Sequence, residues 1–231
     1  MKRKILAKGI DKSKYLMFPN WVDEQVIKPL SKEESLRLEF GLSLDDQVVL
    51  YSGNLGEKQG LEVIVSIAKT FADNSRLKFV ICGSGGGKDK LIQLAADAQL
   101  SNVLFFPLQP YSKLSNLLAI ADLHLVLQKG SASDLVMPSK LTGILAAGGC
   151  PVVTALPGTS LYDVINNHKL GILVEPDSES GLISAISNAL SQDLEVYKIN
   201  ARKYSMKYLA KDNILSKFNN DILELTKLNI N

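Results

Sequence analysis

Short runs of Val, Ile, Leu and Phe alternate along this chain with longer stretches whose apolar residues recur at helical spacing. That alternation constrains the fold most, because it is the pattern of a parallel sheet covered by helices. The strand candidates are Gln47 to Gly53, Leu77 to Gly83, Asn102 to Pro107, Asp122 to Gln128, Pro151 to Ala155 and Gly171 to Glu175. Each is apolar in near-continuous order rather than at every second residue. Strands of that kind are buried on both faces, so the expected class is α/β, with helices on both faces of the sheet.

The helix candidates lie between the strands. Gly60 to Ala72 puts Leu61, Ile64, Val65 and Ala68 on one face, and Lys88 to Gln99 does the same with Leu91, Leu94 and Ala95. Ser112 to Ala121 and Ser139 to Ala147 are shorter. Ser178 to Leu190 carries a stripe of Leu182, Ile183, Ile186 and Leu190, and Asp193 to Leu228 reads as two further helices. Ahead of the first strand, Tyr15 to Asn20 reads as extended and Trp21 to Leu30 as a loop closed by Pro29. Ser31 caps a helix there, with Glu34 at the capping-box position. Three regions follow: an entry segment and linker helix over 1–40, an α/β domain over 41–192, and C-terminal helices over 193–231.

With 231 residues, 46% of them hydrophobic, the chain has material for one domain with a sizeable core. A formal net charge of +2 gives no general reason to expect nucleic acid. The first fourteen residues are basic, but no apolar run follows, so they do not read as a secretory signal. No run reaches the roughly 18 apolar residues of a membrane span. The expected location is cytoplasmic, with at most peripheral attachment at the inner face of the membrane. Cys82 and Cys150 sit inside strand-like runs and read as buried free thiols. Their spacing to His124 and His168 fits no metal site, and no cofactor is expected.

Chemistry concentrates in loops that follow strands. Gly53, Asn54, Leu55, Gly56, Glu57, Lys58, Gln59 and Gly60 set three glycines and a lysine between a strand and a helix. Glycines admit an anion close to backbone N–H groups, the helix start adds positive partial charge, and Lys58 adds a full one. An ordinary turn with a solvated lysine explains the same residues. Gly83, Ser84, Gly85, Gly86 and Gly87 form a second such loop, of which Gly86 and Gly87 read as a plain turn. Both loops lie at strand carboxyl ends, where a doubly wound sheet binds its ligand. In the third element, DLVMPSKLTGILAAGG, Pro138 fits the first turn of a helix. The N–H groups of Ser139 and Lys140 then face outward toward an anion, with the Lys140 side chain in reach; a structural helix with a capping serine is the alternative.

GNLGEKQGLE, VICGSGGGKDKL, FFPLQPYSKLSNLLAIADLHLVLQK, DLVMPSKLTGILAAGGCPVVTA and GILVEPDS, in that order, resemble the C-terminal, donor-binding domain of family 4 (group 1) glycosyltransferases of the GT-B type. Within that family they are most similar to colanic-acid-type enzymes of exopolysaccharide synthesis. The resemblance runs from about Lys8 to Leu190 and implies a Rossmann-like domain. It implies that the backbone at Gly53 approaches the donor's phosphates and that Lys58 pairs with the diphosphate. Asn54 stands where many relatives have arginine. Gly83 and Gly85 correspond to the family's glycine pair. The base and ribose are placed near Leu108 to Tyr111, and Pro138, Ser139 and Lys140 correspond to the turn holding phosphate and sugar. Many relatives have two glutamates eight residues apart here, the second binding the donor ribose. This chain has Leu135 and Gly143 at those positions, with Asp134 one residue off.

The resemblance implies retaining transfer from a nucleoside-diphosphate sugar to a polysaccharide or lipid-linked acceptor, with no metal required. Relatives also carry an N-terminal acceptor domain, so the expected partners are the nucleotide-sugar donor and a separate acceptor-domain chain, and the chain alone is expected not to transfer sugar. A non-catalytic nucleotide-binding or interaction subunit of a split enzyme is the alternative, and a GT-B epimerase a third.

Overall fold

The computed structural model describes Gly9 and residues 15–56, 59–130 and 137–228, with side chains through residue 225. Six parallel strands form one sheet in the order β3-β2-β1-β4-β5-β6. They are β1 (Gln47–Asn54), β2 (Leu77–Ser84), β3 (Val103–Phe106), β4 (Leu123–Val126), β5 (Pro151–Thr154) and β6 (Ile172–Val174). Every strand expected from the sequence is present. Residues along each strand alternate between two cores. Val49, Tyr51, Phe79, Ile81, Leu123 and Leu125 face one side. Val48, Leu50, Val80, Cys82, Val126 and Val153 face the other. Two-sided burial is why the strands read as continuous apolar runs.

The helices are α1 (Glu62–Thr70), α2 (Lys88–Asp97), α3 (Leu114–Leu118), α4 (Ser139–Ala146), α5 (Ser160–His168), α6 (Glu179–Leu190), α7 (Glu195–Tyr208) and α8 (Lys211–Leu228). A 3-10 turn, Tyr111–Lys113, leads into α3, so the helix expected over Ser112 to Ala121 is shorter than the pattern suggests. α1 and α6 contribute Ile64, Ile67, Leu182 and Ile186 to the first core. α3, α4, α5 and α7 contribute Leu117, Leu141, Ile144, Ile165 and Ala201 to the second. Ser178 caps α6, its hydroxyl accepting from Gly181 N–H at 3.1 Å.

Two expectations are corrected. The helix α5 was not anticipated: only Leu161 and Ile165 are buried along its nine residues, too few for a visible stripe. Its start is fixed by Thr159, whose Oγ1 accepts from Tyr162 N–H, and its end by Lys169 at φ 50°. The linker helix after Ser31 is instead a series of turns. Glu34 does reach back to Ser31 N–H at 3.0 Å. The ladder nevertheless fails, because Leu36 N–H donates to Asn116 O and Arg37 N–H to Ser35 Oγ. One tertiary bond and one local side-chain bond thus take donors a helix would need.

The lead-in segment is pinned to the C-terminal helices. Val22 N–H donates to Leu209 O at 2.9 Å, and Lys211 N–H donates to Val22 O at 3.0 Å. Phe18 packs on Phe218 with ring centroids 4.5 Å apart. Val22 and Ile27 join the second core.

Candidate functional site

The chain runs β1 to β2 to β3 in one direction, then returns to the other side of β1 to lay down β4. The sheet therefore switches direction between β1 and β4, where an open α/β sheet leaves a crevice at its carboxyl edge. A cavity of about 420 Å³ lies there. Ser52 and Gly53 close it from β1, Cys82 from β2, and Leu108, Gln109 and Tyr111 from the segment after β3. The start of α4 supplies Ser139, Lys140, Thr142 and Gly143, and Trp21 reaches in from the lead-in segment. Trp21, Leu108 and Tyr111 are 41, 64 and 58% exposed, so one rim is open and apolar.

Lys140 is the charged centre. Its Nζ lies 3.6 Å from the centroid of the Tyr51 ring. A Cβ added at Gly53 would stand 3.2 Å from that Nζ, so glycine leaves the ammonium its place above the strand end. No carboxylate pairs with Lys140 among the described residues. Burial against the tyrosine face pulls its pKa down to about 8. The Tyr51 hydroxyl is held 2.6 Å from Gln59 Oε1 and 2.9 Å from Asn54 O, which fixes the ring beneath the lysine. Pro138 has extended ψ at 124° and is the residue before the helix rather than its first turn; Ser139 begins α4. The first-turn N–H groups at Ser139 and Lys140 have no intrahelical acceptor. They add positive partial charge beside the ammonium. Ser139 does not act as a cap; its carbonyl accepts from Thr142 Oγ1.

Of the residues singled out from the sequence, Gly53, Leu108, Tyr111, Ser139 and Lys140 line this cavity. Asn54 is exposed and turns toward Gly85. Gly83 and Gly85 do not line the cavity. A Cβ at Gly83 would fall 1.9 Å from Gly53 O, and one at Gly85 would fall 2.6 Å from Leu55 O. Their absent side chains let the ends of β1 and β2 close together. Lys58, Leu135 and Asp134 lie outside the described residues. Tyr51, Gln59 and Trp21 were not anticipated. Alternation in β1 could have marked Tyr51 as two residues before Gly53 on the same side of the strand; nothing local marks Trp21. Among the described residues, no group of three or more His, Cys, Asp or Glu is placed to hold a metal, and no helix is long and apolar enough to cross a membrane.

At Gly143 a Cβ would meet only Leu118 Cδ1, at 3.7 Å. The cavity wall is open where a larger side chain could stand. Gly143→Ala is expected to raise stability by about 0.5–1 kcal/mol, since the residue is helical and unhindered. Urea denaturation measures this, and a destabilised variant would show that the wall is not free.

Residues 32–206 match the family model described as glycosyl transferases group 1. The chain belongs to the group 1 glycosyl transferases. A protein of Escherichia coli K12 named as the colanic acid biosynthesis glycosyl transferase WcaI is 40% identical over 96% of this chain and 54% of its own length. The alpha-galactosylglucosyldiacylglycerol synthase of Streptococcus pneumoniae is 26% identical over 89% of this chain and 55% of its own length. The chain thus spans about half the length of these group 1 relatives. Among solved structures, Anabaena HepE in complex with UDP and glucose superposes with a TM-score of 0.80 at 15% identity, over 96% of this chain and 60% of that one. The C-terminal domain of the group 1 protein LpcC of Francisella tularensis gives 0.62 at 16% identity, over 82% of this chain and 99% of that one. These likenesses show a shared fold.

Proposed function

We propose that this chain binds a nucleoside-diphosphate sugar in the cavity between β1 and α4, as the donor side of a retaining glycosyl transfer to a polysaccharide or lipid-linked acceptor. One observation carries the reading: among the described residues Lys140, at the start of α4, has no carboxylate partner, and its ammonium stands 3.6 Å from the Tyr51 ring centroid and 3.2 Å from where a Cβ on Gly53 would be. Charge accumulates on the diphosphate as the sugar–phosphate bond breaks. A fixed cation and two free N–H groups at that point stabilise the developing charge without reorganising. The exposed Leu108 and Tyr111 offer an apolar face to the base, and Trp21 with them forms a rim that an acceptor-binding body would cover. That HepE was solved with UDP and that WcaI is named for colanic acid synthesis support the donor class and the kind of product. The donor is bound here without a metal ion, and the chain acts from the cytoplasmic side.

Calorimetry against UDP, GDP and ADP without added metal tests this. Saturable binding of one of them is expected; no binding of any at millimolar concentration would sink the proposal. Lys140→Met should weaken diphosphate binding by about ten-fold or more while leaving nucleoside binding unchanged, as a charge-assisted contact is worth roughly 1.5–3 kcal/mol. The pH dependence has a definite sign. A lysine with a pKa of about 8 is charged at neutral pH and loses its proton above that value. The bound diphosphate favours the charged form, so affinity is full below about pH 8 and falls above it, by up to about ten-fold per unit. Lys140→Met should flatten that profile. An affinity that holds steady from neutral pH to about pH 9 would remove Lys140 from the diphosphate.

A further inference from the structure

A second cavity, of about 430 Å³, lies at the opposite edge of the sheet, beneath the amino ends of β4 and β5. It shares no lining residue with the donor cavity except Leu118. Leu118, Ala119, Ala121 and Ala147 make one apolar wall, and α7 supplies the other, with Ile199 its apolar residue. The charges are unequal. Asp122 is already engaged, accepting from Arg37 at 3.0 Å and pairing with Lys32 at 2.8 Å. Arg202 is fixed by donating to the carbonyls of Ile27, Ala146 and Glu24. Lys198 and Lys203 line the cavity with no carboxylate partner among the described residues, and Glu195 is the one remaining acid on its rim.

His124 forms part of the floor and is 1% exposed. Its Nδ1 is buried with no hydrogen-bond partner among the described residues. A buried unpaired polar atom costs about 1–3 kcal/mol and calls for a reason. Lys198 and His124 line the same cavity. An uncompensated ammonium and an unsatisfied imidazole therefore share one half-open space with apolar walls. A neutral imidazole offers one N–H, and the lysine offers three.

We propose that this cavity is a binding site for a small phosphomonoester. The phosphate accepts from Lys198 and Lys203 above the floor formed by His124, while the organic part lies against Ala121, Ala147 and Ile199. The site stands apart from the donor cavity and does not depend on the donor reading. Its position on the far edge of the sheet suits a ligand that is not consumed in transfer.

The chain has two histidines, so ring NMR signals can be assigned with a His168→Asn variant. The full chain is titrated with phenyl phosphate and, separately, with inorganic phosphate. Phenyl phosphate is expected to shift the His124 ring signals saturably, and inorganic phosphate to do so more weakly, because it leaves the apolar wall uncovered. Lys198→Gln, checked for a parent-like thermal melt, should weaken phenyl phosphate by about ten-fold. Ile199→Glu, at a position 43% exposed and so compatible with folding, should do the same by placing a carboxylate on the wall. Lys140→Met should leave this binding unchanged. No saturable shift at millimolar ligand, an unaltered affinity in Lys198→Gln and Ile199→Glu, or a loss in Lys140→Met would each overturn the proposal. The last of these would return the phosphate to the donor cavity.

Discussion

Gly83→Ala is expected to cost about 3 kcal/mol of stability or more, a large part of the roughly 5–15 kcal/mol that holds a domain folded. The added methyl would sit 1.9 Å from Gly53 O, 3.0 Å from Gly53 C and 3.4 Å from Leu55 Cγ. Relief is hard to find, because the obstacle is backbone rather than the end of a flexible side chain. Gly53 and Gly83 are direct partners in the β1–β2 ladder, flanked by Ser52 with Cys82 and Asn54 with Ser84. Moving Gly53 away would break that ladder and shift the strand end on which Lys140 rests. The loss should therefore be visible twice, as a lower urea midpoint and as weaker nucleotide binding in whatever folded protein remains. Gly143→Ala serves as the comparison, since the same methyl there meets only an ordinary contact. A Gly83→Ala protein within about 0.5 kcal/mol of the parent would mean that the strands separate freely, and the tight β1–β2 end would lose its structural importance.

The six strands were legible because apolar residues on both faces make each a nearly continuous run, with polar residues as isolated as Lys78 and His124. Strand ends and loop positions followed, and with them Gly53, Ser139 and Lys140, since a doubly wound sheet brings carboxyl-end loops together wherever its strands lie. The role of Gly83 was read differently in the sequence and the structure for a physical reason. A glycine after a strand looks the same whether it makes room for a phosphate or for another backbone. Only the register of β1 on β2 separates the two. Lys140 gained weight for a similar reason. Its neighbour Tyr51 lies 89 positions earlier, and no local pattern announces a lysine resting on a ring. Trp21 precedes Val22, which pairs with Ala210, a contact between residues 188 positions apart. The helix α5 hid behind a short stripe, whereas the turns at 32–41 looked helical because Ser31 and Glu34 do make half of a capping box.

No pattern along the chain announces Arg37, and its replacement carries the other large expected effect. It lies within those turns, is 1% exposed, and its guanidinium binds five groups from two segments. Nη1 donates to Ser43 O at 2.7 Å, to Asp46 O at 2.8 Å and more weakly to Leu44 O at 3.4 Å. Nη2 donates to Ile120 O at 2.6 Å and to Asp122 Oδ2 at 3.0 Å. The same Oδ2 accepts from Val48 N–H at 2.8 Å, so the network ties the approach to β1 to the approach to β4. These are the two strands between which the cavity lined by Lys140 opens. Arg37→Met keeps most of the volume but leaves four carbonyls without this donor, that of the buried Ile120 among them, and removes one cation from Asp122. Breaking a buried pair in this way costs about 3–5 kcal/mol. Asp122 retains Lys32 at 2.8 Å, which places the expected loss toward the lower end. Arg37→Lys should recover only part of it, because one ammonium cannot span acceptors that a planar fork reaches together. Urea denaturation of the three proteins decides the matter. If Arg37→Met and Arg37→Lys were both as stable as the parent, the turns at 32–41 would be held by their apolar contacts at Leu36 and Leu42 alone, and the buried charge would be dispensable.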